Sequence, residues 1–451
     1  MDWNDVVPKT KLNYIMGNPP FLGYSLQSRE QKEDMLSVYV DEQGKPYKKA
    51  GKIDYVTGWY YKAAQFMQGT QIRTAFVSTN SITQGEQVAG AWEPLYKQFG
   101  IHIDFAYRTF KWGNESTDQA AVHVVIVGFS VAPNYKEEKY IFENDGDGWK
   151  RMVVETISPY LIDAPLVFID NRKEPLCDVL HMETGNRPAD GGALIIEAED
   201  YENFIKAEPA AQIFIKKFCG SEEFINNKKR YCLWLVNASP AELKKMPEVM
   251  KRINLCRENR LQGAPDRQKL AETPTIFRET KNPERFIIVP KVSSERRRYM
   301  PIGFEDVNMI ASDLLFIIPE GDIFLFGVLT SNVHMAWMRA VAGRLKSDYR
   351  YSKDIVYNNF PWPEPAESQK AKIETTAQGI LDARAKYPDA SLADLYDELT
   401  MPAELRKAHK ANDRAVMEAY GMWGKVHSEA ECVAWLFRLY QEMIEKPGKR
   451  S

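Results

Sequence analysis

Between residues 12 and 129, short apolar runs alternate with stretches whose apolar positions fall three and four apart. Short apolar runs suit buried strands, and a 3.6-residue period suits helices packed on them. Residues 12–16, 74–78, 101–107 and 120–129 read as strands. Residues 54–68 and 86–98 read as helices, the second closed by Gly100 at a C-cap. This rhythm predicts an α/β fold with a doubly wound, Rossmann-like sheet. The last two strands have no helix between them and are expected to end the sheet as an antiparallel hairpin. Residues 131–180, with Pro133, Asp145-Gly-Asp-Gly148 and Pro159, read as a connection between domains.

Beyond residue 185 the rhythm is lost. Strands at 231–236, 286–289 and 314–318 mix with helices at 201–218, 240–260 and 323–343, an α+β pattern. Residues 368–386, 392–399, 402–420 and 429–445 then read as amphipathic helices. Three domains are expected, over 1–180, 181–365 and 366–451, which a chain of 451 residues can support with proper cores. Five cysteines, at 177, 219, 232, 256 and 432, show no metal-ligand spacing. No metal site and no disulfide framework is expected, and a reducing cytoplasm is. No apolar run approaches the roughly 20 residues of a membrane span, and the first residues lack the features of a signal peptide. No membrane partner is expected, and oligomeric state is not legible.

The most informative residues are Asn18-Pro19-Pro20-Phe21, directly after the first predicted strand. Ligands bind at the carboxyl ends of strands in open α/β sheets. The Asn18 side-chain oxygen and the Pro19 carbonyl are two acceptors on a turn stiffened by two prolines. Such a pair suits an exocyclic amino group of a base, because accepting both amino hydrogens favours a pyramidal nitrogen with an available lone pair. Phe21 offers a stacking face for a base extruded from a duplex. The same tetrapeptide is also ordinary turn chemistry. Thr79-Asn80-Ser81 ends the next strand and would lie on the same edge.

Tyr14-Ile-Met-Gly-Asn-Pro-Pro-Phe21 resembles the fourth motif of amino-group DNA methyltransferases. Asp54-Tyr55, residues 75–87, 105–112 and 121–129, and then 289–304 and 343–363 follow in order. Together they resemble the restriction–modification enzymes of the MmeI (type IIL/IIG) kind, over most of the chain. The resemblance implies a partial class I methyltransferase domain from its fourth motif onward, a target-recognition domain and a helical C-terminal region. It further implies methylation of adenine N6 in duplex DNA with S-adenosylmethionine as donor, catalysed through Asn18, Pro19, Pro20 and Phe21. That family carries its glycine-rich donor loop upstream of this motif. Here 17 residues precede Asn18, and no Phe-x-Gly-x-Gly segment occurs downstream. The chain therefore reads as a fragment whose donor site is incomplete, with its cofactor-binding residues unknown.

Charge is informative locally. The chain carries 59 Lys+Arg against 62 Asp+Glu, yet residues 226–298 hold 18 against 8. A basic segment in an acidic chain is expected of a surface that faces phosphates. Within it Glu295-Arg296-Arg297-Arg298 is the sharpest element. Read as a strand, it puts Glu295 and Arg297 on one face, where they could read a guanine and a cytosine. The alternative is an edge strand making phosphate contacts alone. Arg344, Lys346 and Arg350, with Tyr349 and Tyr351, form a second cluster, read equally as a DNA clamp or a structural loop. His123 reads as a core histidine, and Asp54 and Glu86 as helix-terminus residues. Trp112 reads equally as a wall of the base pocket or as packing. The C-terminal helices read most simply as a bundle packed on the recognition domain.

Overall fold

The N-terminal alternation folds into one mixed sheet in the computed structural model, which describes residues 6–112, 122–131, 138–144, 146–345 and 347–445. Its elements are β1 (Tyr14–Gly17), α1 (Arg29–Val38), α2 (Thr57–Met67), β2 (Arg73–Thr79), α3 (Gly85–Phe99), β3 (Ile101–Trp112), β4 (Val122–Val131), β5 (Lys139–Asn144) and β6 (Trp149–Val154). The spatial order is β1-β2-β4-β3-β5-β6. β1 and β2 pair in parallel, and so do β3 and β5, while β4 and β6 run the other way. The carboxyl ends of β1, β2, β3 and β5 therefore share one edge.

The expected β3–β4 hairpin is present, but it does not end the sheet. Residues 139–154, read as an inter-domain connection, add β5 and β6 beyond it. Residues 146–148 turn between the two strands, and glycine-rich punctuation alone does not distinguish a linker from a strand pair; Pro133 and Asp145 lie outside the described residues.

Tyr60 of α2 fixes the helix against the sheet. Its ring stacks on Phe129 at 5.3 Å and meets Phe76 and Trp92 edge-on, and its hydroxyl pairs with Ser78 at 2.7 Å. Gly100 ends α3 with φ of 62°, and its N–H bonds the Tyr96 carbonyl, as the C-cap reading predicts. On the opposite face of β4, a Cβ at Gly128 would lie 2.1 Å from the Phe105 ring, so only glycine fits there.

Contacts divide the chain into two units, one of residues 1–177, 336–361 and 424–451, the other of 178–335 and 362–423. These units cut the chain differently from the three expected segments. In the first, the helix Glu429–Glu445 brings Phe437 against Trp337 and Tyr160.

The second unit holds two four-stranded sheets. One joins Met309–Ala311, Ile215–Cys219, Arg230–Leu233 and Ile195–Glu197. Its core includes Leu194, Phe218, Leu233, Val249 and Ile253. The predicted helix over 201–218 thus ends early, because Ile215–Cys219 is recruited as a strand. The helix expected over 240–260 is interrupted before Pro247, whose ring cannot continue it. Helices Glu367–Ala385 and Ala403–Ala419 pack across Gly327, where a Cβ would meet Ile373 at 2.8 Å.

His334 of this unit is wholly buried, and burial pulls its pKa down to about 3. The unfolded histidine takes up a proton as pH falls through 6.5, and the folded one does not until about 3. Stability is therefore full above 6.5 and lost as pH falls between those values, by about 1.4 kcal/mol per pH unit. His409 is shifted in the same direction by the same cause. Unfolding free energies from urea titrations at pH 7.5 and 5 are expected to differ by about 2 kcal/mol for His334 alone, with the midpoint shifted in proportion. Equal midpoints would show that the imidazole charges in the folded state.

Candidate functional site

The loop after β1 opens onto a groove of about 920 Å³. Asn18, Pro19 and Pro20 line one side of it. Asn18 and Pro20 are exposed, and Pro19 is buried, so the loop is anchored by the residue between them. Phe21 is half-buried and does not line the groove. The aromatic wall comes from Tyr55, Trp59 and Phe66, with Lys62 on the same helical face. Tyr55 and Trp59 meet edge-on at 5.3 Å, and the Lys9 ammonium sits 4.7 Å from the Phe66 ring. These residues were missed in the sequence, where the helix was read for its apolar face alone. The available signal was the crowding of Tyr55, Trp59, Tyr60 and Tyr61, more aromatics than one buried stripe accommodates.

Asp54, read in the sequence as a helix-terminus residue, also ties two segments of the loop edge together. It is buried at 6% exposure just before α2. One carboxylate oxygen accepts the Tyr24 N–H at 3.0 Å, and the other accepts the Ser81 hydroxyl. The Tyr55 N–H bonds the Leu22 carbonyl at 2.9 Å. Asp54 thus ties the segment after Phe21 to the carboxyl end of β2, where Thr79-Asn80-Ser81 was expected to lie. Asp54→Ala is expected to cost about 1–2 kcal/mol, since a part-buried N–H and a hydroxyl lose a charged acceptor. Amide exchange at Tyr24 should accelerate in that variant; unchanged exchange would show that the loop is held by other contacts.

Among the remaining sheet residues, Glu86 is exposed in the first turn of α3, a helix-terminus position as expected. His123 is half-buried within β4. Trp112 stands 40% exposed at the end of β3, with the Phe110 ring 6.1 Å away, and is not part of the groove lining. Burial pushes the Cys219 thiol up to about 12 and that of Cys256 to about 11, so neither is a thiolate nucleophile near neutral pH.

The 295–298 segment is a turn, not the strand expected of it. The Ser294 hydroxyl accepts the Arg296 N–H at 3.3 Å, and the Ser294 carbonyl accepts the Arg297 N–H at 3.1 Å. Serine captures the following amides and closes the chain before it can extend. Glu295 and Arg297 therefore do not share a strand face. Glu295, Arg296 and Arg298 are exposed and Arg297 is half-buried.

Of the second cluster, Arg344 and Arg350 lie on a hairpin of Gly343–Leu345 and Asp348–Arg350, and Lys346 lies outside the described residues. Arg350 is exposed. The Arg344 guanidinium stacks 4.2 Å from the Tyr349 ring. Tyr349 and Tyr351 are buried, which leaves neither ring a face for a base. The hairpin packs at the start of α3, where a Cβ at Gly85 would meet the Gly343 backbone at 3.2 Å.

Gly85, with φ of 53°, is the left-handed glycine after β2, and the Gly343 backbone crowds it. Among the described residues no glycine-rich turn opens from a strand at this edge to cradle a nucleoside donor.

Comparison with known proteins gives a consistent picture. Residues 1–143 match the family model of the MmeI DNA-methyltransferase domain, 163–364 that of the MmeI target recognition domain, and 365–446 that of the MmeI C-terminal domain. DNA methyltransferase A of Bacillus subtilis (strain 168) is 42% identical over 451 residues, 99% of this chain and 50% of that protein. The solved structure of the type IIL restriction–modification enzyme MmeI in complex with DNA superposes with a TM-score of 0.88 at 43% identity. The match covers 99% of this chain and 59% of MmeI. The chain thus spans about half the length of its curated relative.

Proposed function

Because the chain belongs to the MmeI family of DNA methyltransferases from restriction–modification systems, we propose that it holds an adenine extruded from duplex DNA for methylation at N6. The observation that carries this reading is the placement of Asn18 and Pro19 at the carboxyl end of β1, on the wall of an aromatic-lined groove. Family membership implies S-adenosylmethionine, which supplies an electrophilic methyl group when bound. The Asn18 carboxamide oxygen and the Pro19 carbonyl accept the two amino hydrogens and release the nitrogen lone pair. Pro20 stiffens the turn, and Tyr55 and Trp59, which line the groove as Phe21 does not, offer the extruded base a face to stack on. The turn at Glu295, Arg296, Arg297 and Arg298 reads base edges, and Arg344, Lys346 and Arg350 add phosphate contacts. Segments 1–180, 181–365 and 366–451 then correspond to base capture, target recognition and support.

A second reading is a sequence-specific DNA-binding module without catalysis of its own. It is favoured by the lack of a glycine-rich donor cradle among the described residues. Labelled-methyl transfer to duplex DNA, RNA and protein, with digestion and chromatography of the products, tests both. N6-methyladenine in the duplex is the expected product. Label in RNA or in protein glutamine would overturn the substrate assignment. Sequence-selective duplex binding without transfer, and without heat on titration of S-adenosylmethionine, would favour the binding module.

A further inference from the structure

The exposed turn at 295–298 is followed at once by residues that are almost wholly buried. Tyr299, Met300 and Ile302 are each at most 1% exposed. Tyr299 and Ile302 sit against the helices Ala403–Ala419 and Glu367–Ala385 of the same unit through polar contacts. The Tyr299 ring stacks on the His409 imidazole, centroids 4.1 Å apart and planes 20° from parallel. The Tyr299 hydroxyl donates to the Asp413 carboxylate at 2.6 Å. The other Asp413 oxygen accepts the Asn332 N–H at 2.8 Å. Nε2 of His409 pairs with the Tyr396 hydroxyl at 2.8 Å. Arg384 donates from Nε to the same hydroxyl at 2.8 Å and from Nη1 to the Ile302 carbonyl at 2.6 Å. The chain is thus gripped at Tyr299 and again three residues on, at Ile302.

Apolar packing alone would bury Tyr299 as well and leave its rotation loosely set. A buried hydroxyl–carboxylate pair is directional, and it costs stability unless every member is satisfied. Such a network fixes where the backbone leaves the core. Arg298 is the next residue outward, its guanidinium 5.6 Å from the Tyr299 ring. Reading a base edge needs the arginine fork held to a fraction of an ångström.

We infer that Tyr299, His409, Asp413 and Arg384 are positioning residues for sequence readout, setting the exit geometry of the 295–298 turn. The C-terminal helices thereby act in specificity as well as in packing. This rests on the reading of that turn as a base reader.

The test is selection of duplexes from a randomised pool by the full chain, followed by sequencing. Wild type is expected to enrich one sequence. Tyr299→Phe removes one hydroxyl and keeps the stack, and Asp413→Ala removes the acceptor. Each is expected to lower the preference at one or more positions roughly 10-fold, the lower end of what one base contact contributes. A merely structural role would reduce folded protein and leave the enriched sequence as it was. Folded variants with wild-type preference at every position would overturn the positioning role, as would variants that both fail to fold. The double variant Glu295→Ala, Arg297→Ala is the separate check on the premise. If it too leaves the preference unchanged, or if wild type enriches nothing, the base-reader assignment falls and the positioning role with it.

Discussion

Arg260→Met is expected to lower the unfolding free energy of the second unit by about 4–5 kcal/mol. Arg260 is fully buried near the end of the helix Pro247–Leu261. Its guanidinium donates to the carbonyls of Pro188, Ala189, Leu270, Thr273 and Ile276 at 2.7–3.0 Å. Five donors thus meet five backbone acceptors, the full capacity of the group. Methionine fills much of the same volume and satisfies none of them. Five part-buried carbonyls then lose their partner, each at the low end of roughly 1–3 kcal/mol because water replaces part of what is lost. A loss of that size is a large fraction of the roughly 5–15 kcal/mol that holds a domain together. Arg260→Lys keeps the charge with three donors on a point-like head, which cannot span carbonyls from separate segments. It is expected to recover less than half of the loss. Urea unfolding followed by circular dichroism measures both. A methionine variant within 1 kcal/mol of wild type would show that these carbonyls are satisfied in another way.

Arg260 also shows where the sequence misleads. It counts among the basic residues between 226 and 298, which read as a surface facing phosphates. Arg252 also donates to the carbonyls of Ala193 and Ile195, and Arg230 pairs with Glu197. A charge count cannot tell an arginine that faces solvent from one that staples loops, because both carry the same formal charge. The strands β1–β4 and the helices α2 and α3 of the first unit were legible because apolar periodicity reports burial directly, and Gly100 marks its own helix end, whereas β5 and β6 were hidden behind turn residues that read as a linker. The Asn-Pro-Pro-Phe segment was legible as a loop at a strand's carboxyl end, because two prolines and an asparagine stop a strand and favour a turn. The 295–298 turn was not, since its shape depends on one serine hydroxyl capturing a backbone amide. The wall formed by Tyr55, Trp59 and Phe66 was hidden because aromatic residues serve a core and a binding groove equally well. The division into units was hidden too, since residues 336–361 and 424–445 fold with a sheet whose last strand ends at Val154.

In the intact enzyme, with its donor site complete, Asn18→Ala is expected to reduce methyl transfer to adenine by at least roughly 10²–10³-fold, with duplex binding retained. The amino nitrogen of adenine is a poor nucleophile because its lone pair is delocalised into the ring. It reacts once both hydrogens are held by acceptors that favour the pyramidal form. Pro19 supplies one acceptor from the backbone, which substitution leaves in place. Asn18 supplies the other from its side chain, exposed on the groove wall, and alanine removes it. The loss therefore falls on the chemical step, and Kd for DNA, set by phosphate and base contacts elsewhere, is largely unaffected. Asn18→Asp separates this account from a merely structural one. The carboxylate keeps an acceptor at the same position, so Asp should recover a substantial part of the activity that Ala loses. If Ala and Asp are equally inactive and equally folded, the amide N–H groups matter more than the oxygen, and the acceptor role falls. If Ala turns over normally in a labelled-methyl assay, the loop is a turn and nothing more.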